Sequence, residues 1–89
     1  MARIEMSDIR KTEMAARSGA TDALFHLGLI YSTGREREAD LVSAHKWFNL
    51  AAMQGNRAAR EYRADIAQEL SATEVAEAQR RAREWLHGC

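Results

Sequence analysis

Hydrophobic residues in this chain fall at steps of three and four and nowhere alternate at step two. That spacing predicts helices and no strands. A first helix is expected over roughly Ser7 to Arg17, ending at Gly19, and a second over about Thr21 to Thr33, stopping at Gly34. The charged stretch "REREA" reads as a loop. Asp40 is placed to cap a third helix of about Leu41 to Gln54, stopped by Gly55. A fourth runs from about Arg57 to Leu70. "SATE", Ser71 to Glu74, has the spacing of a capping box and opens a fifth helix that ends near His87.

Size is patterned along with polarity. Ala44, Trp47, Phe48, Ala51 and Ala52 share one face of the third helix, and Leu24, Leu27, Gly28 and Tyr31 share one face of the second. Aromatics supply apolar area to bury, and the small residues let a neighbouring backbone approach closely enough to cover them. Gly28 costs roughly 1 kcal/mol of helix propensity relative to alanine, which close packing at that point would explain. The two faces predict an interlocked helical hairpin. An internal echo supports a repeat: at an offset of 36, Ala15, Ala16, Gly19, Ala23 and Ile30 fall on Ala51, Ala52, Gly55, Ala59 and Ile66.

The segment "ALFHLGLIYSTG", followed by Asp40 and "AHKWFNLAAMQG", resembles the Sel-one-like repeat, a helix-turn-helix unit related to the tetratricopeptide repeat. Ala23, Leu27, Gly28, Tyr31 and Gly34 match its first half. Asp40, Ala44, Trp47, Phe48, Ala51, Ala52 and Gly55 match its second. One full repeat would span 19–55, after a partial unit at 7–19 and before a degenerate repeat with a capping helix at 56–88. The loop departs from the family pattern at Glu36 and Arg37. Asp8 and Lys11 stand where the full repeat has Ala44 and Trp47, and Arg63 and Ala67 stand where it has Leu27 and Tyr31. The last helix looks like the closing segment of some bacterial members, with a stripe of Val75, Ala78, Gln79, Ala82, Trp85 and Leu86, one of them polar, sealing the end. The resemblance implies an all-α, short α-solenoid of about five antiparallel helices in a right-handed superhelix, acting as a scaffold or adaptor.

Composition narrows the class without changing it. The chain has 89 residues, enough for one modest core, and its 46% hydrophobic content argues against disorder. Thirteen basic and thirteen acidic residues cancel, so neither a nucleic-acid nor a membrane partner is expected from the total. Cys89 is the single cysteine and can form no internal disulfide. The charged start "MARIEMSDIRK" does not read as a signal peptide, and no apolar run could span a bilayer; the expected location is cytoplasmic.

Candidate chemistry is sparse. His26, His45 and His87 lie on three different helices, and none has a partner at the spacing of a zinc helix. With no phosphate loop and no nucleophile motif, neither an enzyme nor a cofactor or metal is expected. The resemblance directs attention to an inner groove. Asp22, Phe25, Leu29, Ser32 and Thr33 on the second helix match groove-lining positions, and the offset carries the stripe to Ala58, Glu61, Asp65, Gln68 and Glu69. An apolar half beside an acidic half suits a peptide or protein segment with one apolar anchor and basic neighbours. Alternatively, Phe25 and Leu29 pack under the first helix. The arginines at 57, 60, 63, 80, 81 and 83 are interleaved with acids and read as a solvated, salt-bridged face. The other function class is self-association into a homodimer through exposed apolar residues.

Overall fold

A computed structural model describes residues 5–33 and 39–88. The chain is all-α: α1 (Glu5–Arg17), α2 (Thr21–Thr33), α3 (Leu41–Met53), α4 (Arg57–Ala67) and α5 (Ala72–Leu86), with no strand among the described residues. Gly34 and most of the charged loop, including Glu36 and Arg37, lie outside the described residues. Both caps read from the sequence are present. The Asp40 carboxylate accepts from the Ser43 amide at 3.0 Å and the Ser43 hydroxyl at 2.7 Å. Ser71 and Glu74 close a complete capping box. Asn56 adds a third cap at the start of α4, where its side chain accepts from the Ala59 amide at 2.8 Å.

The 36-residue echo holds down to individual hydrogen bonds. Gly19 and Gly55 are both left-handed, at φ 91° and 98°, a conformation that only glycine adopts cheaply. Before the first, the Ala20 amide donates to the Ala15 carbonyl and the Gly19 amide to that of Ala16. Before the second, the Asn56 amide donates to Ala51 and the Gly55 amide to Ala52. Both are Schellman endings built on the same Ala-Ala-x-x-Gly residues.

The core is centred on α3. Ala44, Trp47, Phe48, Ala51 and Ala52 are all buried, as their shared face requires. His45 and Leu50, off that face, are buried too. The reason is that α3 is covered by three helices, α2, α4 and α5, and not by α2 alone. Leu24 and Leu27 of α2 are buried opposite it, and the hairpin interlocks as the residue sizes predict. A Cβ on Gly28 would stand 2.5 Å from two atoms of the Phe48 ring. The glycine is the space that the ring occupies.

Two boundaries differ from expectation. Helix α1 begins at Glu5, and α4 ends at Ala67 because the next turn tightens: the amides of Gln68, Glu69 and Leu70 each donate three residues back. Helix α5 closes the end of the core on α3, where Ala82 is buried and Trp85 half-buried against the core cluster. Ala78 is buried as well. Trp85 meets Trp47 edge to face at 4.7 Å, with the Arg17 guanidinium 4.9 Å and the Lys46 ammonium 5.2 Å from its ring centre. The end of α5 is thereby held by α1 and α3 together.

The groove between α2 and α4

Helices α2 and α4 both lie against α3, and they meet each other through aromatic rings. Phe25 of α2 stands 5.6 Å from Phe48 and 5.6 Å from Tyr62, whose ring stacks on Phe48 at 5.1 Å and 15°. Phe25 is half-buried against α3 and α4, so the aromatic floor belongs to the core. Leu29 is likewise half-buried against the core. Tyr62 is not among the groove positions expected from the sequence, yet it is the ring that stays 43% exposed there. Its stacking on Phe48 could have been anticipated from Phe48 being one of the two large side chains on the α3 face.

The remaining candidates divide by what their polar atoms do. Thr33, Ala58, Glu61, Asp65, Gln68 and Glu69 are exposed, as is Asp22, and Ser32 is half-buried. The Ser32 hydroxyl donates to the Leu29 carbonyl at 3.1 Å and that of Thr33 to Ile30 at 3.4 Å, so both bond to their own helix. Carboxylates therefore supply the groove's free acceptors. Among the described residues, Asp22, Glu61, Asp65 and Glu69 make no ion pair.

Spacing sets the side of α4 on which those carboxylates stand. Asp65 and Glu69 lie three and seven residues after Tyr62, and Glu61 lies four before Asp65. Glu61 and Asp65 thus stand one turn apart on one edge of α4, and Glu69 follows in the tightened turn beyond the helix. Arg57 stands four residues before Glu61 at the head of that row, whereas Arg60 and Arg63 lie on the other edge, where Arg63 donates to the Asn49 side chain of α3 at 2.6 Å. The expected salt-bridged face is accordingly found on α5 and not on α4. On α5, Glu77 pairs with Arg80 at 2.7 Å and Arg81 at 2.8 Å, and Arg80 also pairs with Glu84. Hydrogen bonds from Arg80 and then Arg81 hold the Glu77 carboxyl down at about 2. On α4, Glu61 and Asp65 stand acid on acid. Such a like-charge pair at a four-residue step costs about 0.2–0.5 kcal/mol.

Two further polar features lie outside the groove proper. A shallow cleft of about 620 Å³ opens where the start of α3 meets the end of α4, between Asp40, Leu41, Val42, Glu69 and Leu70. Asp40 and Glu74 on its rim are occupied with helix caps, and Glu69 is shared with the groove. His45 is 3% exposed with its Nδ1 unbonded, and burial with Arg63 nearby keeps its imidazole below the ordinary value. No helix among the described residues is long and apolar enough to cross a membrane. No family model, curated protein or solved structure matches the chain.

Proposed function

We propose that this chain is a non-catalytic adaptor that takes up a basic peptide or protein segment along the groove between α2 and α4. The observation that carries this reading is the Glu61–Asp65–Glu69 edge. It is exposed and makes no ion pair among the described residues, next to a half-exposed tyrosine. Exposed carboxylates left without an ion pair beside an aromatic ring are better accounted for by an outside partner than by folding. Lysines and arginines of the segment would meet Asp22, Glu61, Asp65 and Glu69, and one apolar side chain would lie on Tyr62 beside Phe25 and Leu29. Membership of the Sel-one-like repeat family, with the repeat at 19–55, belongs to the same proposal; the matched Schellman endings and the Gly28–Phe48 fit support it.

The roles divide as in other charged interfaces. Carboxylates set the association rate and its salt dependence, while the aromatic contact slows dissociation. A fluorescent peptide with lysines and arginines around one leucine should bind at low salt, and its acidic counterpart should not. Glu61→Lys with Asp65→Lys should abolish that binding while leaving the melting temperature nearly unchanged. Equal binding of both peptides, or full binding by the double variant, would overturn the reading.

A further inference from the structure

The described helix breaks are made in two different ways. Those before α2 and α4 rest on Gly19 and Gly55, left-handed at φ 91° and 98°. The break before α5 contains no glycine and no proline. Gln68 is still right-handed helical at φ −70° and ψ −18°, and Glu69 and Leu70 continue the turn with short-range hydrogen bonds. Ser71 departs from helix through a single angle, with φ −77° and ψ 165°. The capping box of Ser71 and Glu74 is what holds it there. Refolding of the short segment 68–71 would join α4 and α5 into a continuous helix.

Such a helix could not keep α5 in place. Over residues 57–86 it would be about 45 Å long. The whole molecule measures 38 Å in its greatest extent. Helix α5 rests on α3 and not on α4, so it would leave its seat, and the Trp47 face of α3 would lose its cover. The free helix would carry Ala78, Ala82 and Trp85 as an unpartnered face shaped for another α3. It would remain helical, because its pairs among Glu77, Arg80, Arg81 and Glu84 are internal.

We propose that this chain forms a dimer by exchange of α5, each copy laying its last helix on α3 of a second copy. The exchanged helix finds on the second copy the same packing that it leaves on its own. Trp85 settles on Trp47 again, with Arg17 and Lys46 over its ring, now between copies. The dimer adds continuous backbone hydrogen bonds through residues 68–72 and gives up the capping box and the freedom of two molecules. Of the groove, the exchange changes only the backbone around Glu69, since α2 and the rest of α4 keep their places on α3.

Two substitutions push the equilibrium in opposite directions. Ala72 is the first residue of α5, where proline is tolerated, and Ser71 already has the extended backbone that precedes proline. Within a fused helix the same proline would clash and break it. Ser71→Ala removes the cap and favours fusion. Sedimentation of the full chain over a concentration series should show a dimer fraction that grows with concentration. Ser71→Ala should raise that fraction severalfold, and Ala72→Pro should give monomer with unchanged helix content. A dimer that survives Ala72→Pro would mean that copies meet on an exterior surface, and the proposal fails. It fails equally if the native chain and Ser71→Ala both stay monomeric throughout. Loss of folding in either variant leaves the other decisive.

Discussion

The α2–α3 hairpin and the α4–α5 arm are stabilised by different means. In the hairpin, shape does the specifying: Phe48 sits where Gly28 has no side chain, and Leu24, Leu27, Ala44 and Ala51 close around it. In the arm, each helix offers few residues to the core, Ala59 and Ile66 from α4 and Ala82 and Trp85 from α5, under a surface dense in charge. The two arm helices then differ from each other. Glu77 and Arg80 of α5 satisfy one another, whereas the acids of α4 make no ion pair among the described residues. A tight hairpin fixes one arrangement. An arm with few contact residues and locally stable helices can be repositioned without loss of its secondary structure, and its surface is left for recognition.

The sharpest way to break that contrast is to remove the one residue that serves both regions. Trp47 is 3% exposed within the hairpin core and is also the ring on which Trp85 of α5 rests. Trp47→Ala should destabilise by about 3–5 kcal/mol in chemical denaturation, through lost burial and the cavity left behind. An unchanged denaturation midpoint would mean that the packing described for α3 is wrong. Gly28→Ala tests the hairpin alone. It improves helix propensity, yet its methyl would overlap a Phe48 ring that is fully buried against Phe25 and Tyr62. Overpacking should win, with a net loss of about 1–3 kcal/mol. A stabilised Gly28→Ala would show that Phe48 can move aside, and the hairpin would then be as adaptable as the arm.

These effects explain which features the chain disclosed before its structure. Step-three and step-four spacing, glycine stops and capping residues are local, and they located the helices with errors confined to the ends of α1 and α4. The Gly28–Phe48 fit was legible because size alternation is written on both helices. The seat of α5 was not legible, since Ala78, Ala82 and Trp85 would fit α3 or α4 equally well by periodicity. His45 and Leu50 were missed for the same reason: their burial depends on how many helices surround α3. In the groove, the acidic positions followed from the 36-residue offset, but Tyr62 has no aromatic counterpart at position 26, which is histidine. The like-charge step from Glu61 to Asp65 was present in the spacing. It takes on meaning only beside α5, where the same residue types form pairs.

The smallest expected effect separates the two arm helices by their response to acid. Glu77 accepts hydrogen bonds from Arg80 and Arg81, and its carboxyl is lowered from 4.5 to about 2. A carboxylate lowered in the folded state stabilises fully above its ordinary value, and that stabilisation fades as pH falls from 4.5 toward 2. Because the pair is exposed, the contribution is a small one and is screened by salt. Glu77→Gln should therefore melt slightly below the native chain at neutral pH and low salt. The gap should close as the pH approaches 2, and it should shrink when salt is added at neutral pH. Asp65→Asn, made on the α4 edge where no cation stands one turn away, should move the melting temperature the other way at neutral pH, because it relieves the repulsion from Glu61. Two carboxylate neutralisations with opposite signs would establish that Glu77 serves its own helix and that Asp65 does not. Equal losses in both variants would place Asp65 in an intramolecular pair and remove the acidic edge from the groove.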